Sequence, residues 1–412
     1  MSAEANQAVN RRVLSGMRPT GKLHIGHYVG ALQNWVRLQS EYDCFFFVAD
    51  WHALTTDYAD TSRVKENLLE MTFDWLAAGL DPEKATLFIQ SHVPQHAELH
   101  LLLSMMTPLG WLERVPTYKE QKENIKEKDL NTYGFLGYPV LMTSDILMYQ
   151  AAYVPVGEDQ VAHVEITREI ARRFNQFYTL EKTPQFVGAG PTAAPTAELA
   201  RQMDEPRPRS TSSVDDEKIK LFGEAVVAET RRRIDARRSG RIYVFPEPQP
   251  LLTKAAKLPG LDGRKMSKSY GNSILLSDPE AEVRRKLKPM VTDPARVRRT
   301  DPGNPDICPV GDLHKIFSSP ETIAEVYQGC TTAGIGCIQC KTWVADNIVS
   351  ILNPIQERRR KYEENPKLAW DILEAGSASA RKAADATLGE VREAMHMSLT
   401  YEPAPPTEKT AK

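Results

Sequence analysis

Short apolar runs alternate with helix-periodic segments along the first part of the chain. Val13-Leu14-Ser15-Gly16, residues 44–49 (CFFFVA), residues 86–89 (TLFI) and residues 153–156 are each brief and poorly alternating. Strands covered on both faces read this way, because neither face needs polar side chains. Between them Ile25, Val29, Leu32 and Val36 recur at helical spacing, as do Val64, Leu68, Met71 and Trp75. Strand-helix-strand alternation of this kind predicts a doubly wound α/β domain with a parallel sheet.

The pattern changes twice. Pro, Ala, Thr and Ser dominate residues 191–208, which reads as part of a flexible insertion over 188–240. A charged helix is expected within it at 214–238, with Asp215, Asp216 and Glu217 at its start and Arg231–Arg233, Arg237 and Arg238 at its end. A solvated surface helix is the favoured reading there. Residues 241–280 return to the first domain, and 281–397 turn helical, with Ile348, Ile351, Leu352 and Ile355 followed by the basic run 358–361. A last helix is expected over 377–397 and a disordered tail over 398–412.

Composition narrows the class only modestly. In 412 residues, 41% are hydrophobic and 26% charged, enough for a substantial core. Lys and Arg number 52 against 54 acidic residues, which excludes a uniformly basic coat for nucleic acid but not a local patch. No apolar run approaches the roughly 20 residues of a membrane span, and no secretory pattern is read at the start, so a soluble, cytoplasmic protein is expected. Cys308, Cys330, Cys337 and Cys340 crowd one window while Cys44 stands alone on an apolar strand, where core packing explains it. In a reducing compartment such a group points to a metal: tetrahedral zinc or a [4Fe–4S] cluster.

Two motifs carry the chemistry together. Pro19-Thr20-Gly21-Lys22-Leu23-His24-Ile25-Gly26-His27 follows the first strand and opens a helix, the turn at which parallel sheets bind nucleotides. His24 and His27 sit on one face and can donate to phosphate, and Gly26 lets a flat base approach. Farther on, Gly263-Arg264-Lys265-Met266-Ser267-Lys268-Ser269 places two lysines three apart in a small-residue loop, a clamp for a charged phosphoryl group. Either motif alone is a weak signal. A third segment, 138–150, reads as an apolar helix carrying one carboxylate, Asp145, which either caps the helix or faces solvent or, if buried, requires a donor such as an indole N–H.

The HIGH and KMSKS strings in this order resemble the class I aminoacyl-tRNA synthetases. With residues 14–21, 138–149 and 156–160 (VGEDQ), the resemblance from 14 to 397 is to the bacterial tryptophanyl-tRNA synthetase family. It implies a Rossmann-type catalytic domain (1–187 and 241–280), a C-terminal α-helical anticodon-binding domain with the four-cysteine site (281–397), and a homodimer. It further implies that tryptophan reacts with ATP and Mg2+ to give an adenylate and pyrophosphate before transfer to the 3′ end of tRNA(Trp). By the same resemblance His24, His27, Lys265, Lys268 and Lys119 are catalytic. Arg18, Pro19, Thr20, Gly26, His27, Gly157, Glu158, Asp159, Met266, Ser267 and Ser269 join the two lysines around ATP. Asp145 takes the indole N–H with Met142 near the ring, and Tyr138 and Gln160 hold the ammonium. Some family members carry a [4Fe–4S] cluster on four cysteines, which favours Cys308, Cys330, Cys337 and Cys340 as cluster ligands over zinc, with Arg296, Arg298 and Arg299 as a nearby basic patch for tRNA. Arg18 stands where many members have Gln, and the 188–240 insertion is longer than usual. The rivals are a tyrosyl enzyme of the same fold, a small-molecule adenylyltransferase, and a non-catalytic RNA-binding or redox protein.

Overall fold

The computed structural model describes residues 12–116, 118–119, 129–157, 160–181, 241–252 and 258–397. The expected insertion with its charged helix, and the expected tail, lie outside these residues. The expected strands form as β1 (Arg12–Met17), β2 (Asp43–Val48), β3 (Ala85–Ile89) and β4 (Tyr153–Val156). A short antiparallel ribbon of β5 (Leu180–Glu181) and β6 (Arg241–Ile242) stands apart, and β7 (Gln249–Leu252) completes the main sheet. That sheet runs β3-β2-β1-β4-β7, every pairing parallel. No strand pattern is evident for β7 in the sequence, because Pro250 and its neighbouring prolines read as loop; at the edge of a sheet a proline is tolerated.

Strand residues alternate between two cores. Val13, Phe46 and Val48 join Trp35 and Trp75 on one face, and Leu14, Phe45, Phe47 and Phe88 join Tyr149 on the other. Trp35 stacks on Phe46 with centroids 4.6 Å apart. The first helical stretch is α1 (Ile25–His27), a π-helical turn (Tyr28–Leu32) and α2 (Gln33–Leu38). It is followed by α3 (Asp50–Asp57), α4 (Val64–Ala78), α5 (Gln95–Ser104), α6 (Leu109–Leu112), α7 (Tyr133–Met148) and α8 (Val161–Phe177).

The C-terminal region is helical, as expected: α9 (Glu280–Leu287), α10 (Pro309–Phe317), α11 (Pro320–Thr331), α12 (Cys337–Glu364) and α13 (Pro366–Ala394). Two features differ from the sequence reading. The run 358–361 does not follow a helix but lies within α12, with Arg359 buried at 1% exposure. The last helix starts eleven residues earlier than expected and covers the β3 edge so closely that a Cβ at Gly376 would sit 1.8 Å from the Leu87 carbonyl oxygen. Ser377 Oγ accepts the Ile89 N–H at 3.2 Å, so the open side of the edge strand is partly capped by a helix.

Candidate active site

A cavity of about 380 Å3 opens where the strand order reverses, at the carboxyl ends of β1 and β4. That is the crevice in which doubly wound sheets bind ligands. Its walls bring together Arg18, Tyr138, Met142, Asp145, Gly157 and Gln160, all expected from sequence, with Gly30 and Ala31 of the π-helical turn closing one side. A π-turn often marks a functional position, since the bulge re-aims the helix face. Arg18 Nη2 donates to Thr56 Oγ1 at 2.6 Å, which fixes the guanidinium at the cavity mouth.

Asp145 lies at the bottom, 1% exposed, and its required donors are internal. His52 Nε2 meets Oδ2 at 2.7 Å; Gln90 Nε2 and His96 Nδ1 meet Oδ1 at 2.7 and 2.6 Å. His96 Nε2 continues to the Tyr149 hydroxyl at 2.7 Å. Burial alone raises the carboxyl pKa, but the hydrogen bonds from His52 and His96 outweigh it and hold the group below its ordinary value. Sequence reasoning missed His52, Gln90 and His96. The one usable sign was the demand itself: a carboxylate in an apolar helix needs partners, and these come from α3, the turn after β3 and α5. Oδ2 carries a single one of these three bonds, and a carboxylate oxygen accepts more than one donor. The Tyr138 hydroxyl pairs at 2.8 Å with Nε2 of His163, which also lines the cavity.

The two loops meet. Lys268 Nζ donates to the Thr20 carbonyl, to Thr20 Oγ1 at 3.1 Å and to the Lys22 carbonyl at 2.8 Å. Burial lowers its pKa to about 8, partly offset by Asp74. Met266 is buried and anchors the loop, while Lys265 and Ser269 are exposed and Ser267 donates its N–H to Asn272 Oδ1 at 2.8 Å. His24 caps α1: its Nδ1 accepts the Gly26 N–H at 3.1 Å, and His27 Nδ1 accepts the His24 N–H at 3.3 Å. A backbone N–H can only donate, so both Nδ1 atoms are unprotonated and the remaining proton of each neutral ring sits on Nε2, a donor suited to phosphate oxygen. Gly26 has a second reason to be glycine, since a Cβ there would lie 2.8 Å from the His24 ring.

Burial, then the positive charges of Lys268 and Lys265, lowers the His24 pKa to about 4; burial, then His24 and the same lysines, lowers that of His27 to about 3. In the unfolded chain both titrate near 6.5, so their neutral forms stabilise the fold above that value and the contribution is lost as pH falls toward 4 and 3. The expected loss is about 1.4 kcal/mol per histidine for each pH unit below 6.5. Asp74, raised to about 6 chiefly by burial, works in the opposite sense between 6 and 3.8. Urea titrations at pH 7.5 and 5.5 test this: His24→Asn/His27→Asn should reduce the pH-dependent loss seen in the parent chain, leaving the smaller contributions of Asp74, His100 and His314.

Several expected residues are not in the cavity. Lys119 is exposed and absent from its walls, and Glu158 and Asp159 lie outside the described residues. Thr20 sits beside Lys268, and neither it nor Pro19 lines the cavity itself.

The four C-terminal cysteines share one neighbourhood. Burial, then Cys308, Cys330 and Cys337, pushes the Cys340 thiol up to about 12, and His314 Nε2 lies 3.4 Å from its sulfur. Among the described residues, no three Cys, His, Asp or Glu side chains converge closely enough to hold a metal ion. Arg296 and Arg299, two members of the expected basic patch, also make internal contacts. Arg296 Nη2 donates to the Ile335 carbonyl and Nη1 lies 3.6 Å from Cys330 Sγ, while Arg299 Nη2 donates to the Gly334 carbonyl at 2.9 Å and Nη1 to that of Ala333. They brace the loop before Cys337. Cys44 is buried in the core, its thiol pushed to about 12 by burial and Asp43.

Known proteins similar to this chain point to one family. The family model of class I tRNA synthetases (W and Y) matches residues 6–193 and 214–353. A tryptophan–tRNA ligase of Ralstonia nicotianae is 54% identical over 400 residues, covering 95% of this chain and 99% of its own. One from Thermotoga maritima is 48% identical over 388 residues, covering 94% and 99%. Among solved structures, tryptophanyl-tRNA synthetase from Campylobacter jejuni complexed with ADP and tryptophan superposes with a TM-score of 0.71 at 28% identity, covering 93% of this chain and 99% of its own.

Proposed function

This chain belongs to the tryptophan–tRNA ligases, class I aminoacyl-tRNA synthetases, and we infer from its cavity which side chains carry the reaction. The enzyme joins tryptophan to AMP: the amino-acid carboxylate attacks the α-phosphate of ATP, the bond to the β-phosphate breaks, and pyrophosphate leaves. The 2′- or 3′-hydroxyl at the end of tRNA(Trp) then displaces AMP. Side chains need do little covalent work here, so positioning and charge stabilisation carry the rate.

In this reading the indole lies between Met142 and the cavity floor with its N–H on Asp145 Oδ2, and Tyr138 and Gln160 receive the ammonium. The carrying observation is Asp145, a buried anion lining the cavity with its orientation fixed by His52, Gln90 and His96. Arg18, Gly26 and Gly157 border ATP; Nε2–H of His24 and His27 face its phosphates; Lys265 and Lys268 neutralise the pyrophosphate as it leaves, and Mg2+ bound with ATP would supply further positive charge. Lys119 would approach only by a movement of its segment. Pyrophosphate exchange with tryptophan, with tyrosine and with no amino acid tests the reading: exchange with tryptophan alone is expected, and exchange with tyrosine would overturn the pocket assignment.

Two finer statements belong to the same proposal. Cys308, Cys330, Cys337 and Cys340 would hold a [4Fe–4S] cluster after drawing closer together than they stand, since no three of them now converge as metal ligands. Three thiols within Coulombic reach of the Cys340 sulfur and an arginine 3.6 Å from that of Cys330 favour an anionic group there. When bound, the cluster would staple α10, α11 and the start of α12 together and would take no part in adenylation. Anaerobically purified protein should contain iron and acid-labile sulfide, about four of each per chain; one zinc and no iron would overturn the assignment. The partner across the α5–α6 corner is a second copy of the chain, supported by Leu101, Met105, Leu109 and Phe177, which are 52%, 75%, 64% and 59% exposed. Arg173 ties that corner together, donating to the Met106 carbonyl and lying 5.1 Å from the centre of the Phe177 ring.

A further inference from the structure

Asp74 and Arg359 are fully buried ionised groups that the chemistry above leaves unused, and they sit behind the ATP loops. Asp74 Oδ2 accepts the N–H of Leu23 at 2.6 Å, in the middle of the Thr20–His27 loop. Its other oxygen receives Arg359 Nη1, whose guanidinium also reaches Glu70 and, through Nε at 2.8 Å, Glu363. The loop is stitched on its other side to the stretch that follows the lysine loop: Leu276 N–H donates to the Leu23 carbonyl at 2.8 Å and Ile25 N–H to the Ile274 carbonyl at 2.9 Å. One turn before Arg359, Gln356 Nε2 donates to the carbonyls of Leu276 at 3.0 Å and Asp278 at 2.8 Å. Residues three apart share a helix face. One turn of α12 therefore grips both halves of the nucleotide site, Arg359 through Asp74 and Gln356 directly. The same helix begins at Cys337, and about 24 Å of its axis separates Cys340 from Gln356.

We propose that Gln356 and Arg359 are positioning residues for adenylate formation: they hold the Thr20–His27 loop against the 274–278 stretch, and with it Lys268, in the spacing that ATP requires. Through them tryptophan activation depends on the C-terminal helical region although no residue of that helix touches substrate. The inference rests on the assignment of these loops to ATP. The Asp74 carboxylate is also the negative charge facing Lys268 from below, which ties the buried pair to the reacting side of the loop.

The test uses the full chain with Gln356→Leu and, separately, Arg359→Lys, which keeps the charge but loses the fork that reaches three carboxylates at once. Melting temperature, tryptophan affinity without ATP by equilibrium dialysis, and the kcat and KM(ATP) of tryptophan-dependent pyrophosphate exchange are measured on each. For Gln356→Leu we expect unchanged melting, tryptophan affinity within twofold of the parent, and a tenfold or greater fall in kcat/KM for ATP. Arg359→Lys should move the same constant farther; should it fail to fold, Gln356→Leu alone decides. Lowered melting with kcat and KM(ATP) within twofold per folded molecule would reduce the pair to structural braces and overturn the proposal. So would an equal loss of tryptophan affinity. A parent chain inert toward tryptophan would instead overturn the ATP assignment, and the inference with it.

Discussion

Replacing Asp145 with asparagine should lower kcat/KM for tryptophan by about 30- to 5,000-fold, the range for removing one member of a buried, hydrogen-bonded charged contact. Asparagine keeps the volume, so packing in α7 is preserved while the anion is lost. The Asn amide can still accept from one neighbour, but its –NH2 would face donors from His52, Gln90 or His96 across bonds now 2.6–2.7 Å long. The KM for ATP should stay within about twofold, because the nucleotide loops lie on other elements. A variant with parental kcat/KM for tryptophan would remove Asp145 from indole recognition. One that had gained tyrosine activation would recast it as a gate against the phenol.

The second large effect is expected at Lys268. Alanine there should reduce kcat by about 100- to 1,000-fold, the cost of deleting one donor aimed at developing charge, with tryptophan affinity unaltered. The pH dependence separates a charge effect from lost loop docking. Burial brings the Lys268 pKa to about 8, so in the free enzyme the cation is lost as pH rises through that value. The parent kcat/KM for ATP should then fall tenfold per pH unit above about 8. Lys268→Arg, ionised throughout, should remove the inflection while retaining part of the rate. An inflection unchanged in Lys268→Arg would assign it to another group.

Much of this site is legible without coordinates, and for identifiable reasons. The strands β1 to β4 are covered on both faces and so announce themselves as apolar runs, and Lys265 and Lys268, which alone would read as a solvated basic loop, gain meaning only beside the His24–His27 turn. β7 does not announce itself, since proline at a sheet edge looks like proline in a loop. His52, Gln90 and His96 are invisible for another reason: nothing in their local sequence distinguishes them, and only the fold carries three separate segments to one carboxylate. Arg359 is only half legible: it continues the spacing of Ile348, Leu352 and Ile355 and so falls on their face, but its charge argues against burial and nothing local points to Asp74 as its partner. Nor does the sequence show that Arg296 and Arg299 each donate to a backbone carbonyl of the loop before Cys337.

The bond between Ile89 and Ser377 spans 288 residues of chain. During synthesis on the ribosome, β3 emerges early and its cover emerges almost last. For most of translation the nascent sheet therefore presents a bare, apolar strand edge, the kind of surface that recruits chaperones or pairs with a neighbouring chain. A stalled or prematurely terminated product ending before Pro366 keeps that edge permanently. Nonsense truncations near the C-terminus should thus be lost to aggregation and proteolysis even though every nucleotide-binding residue has already been made.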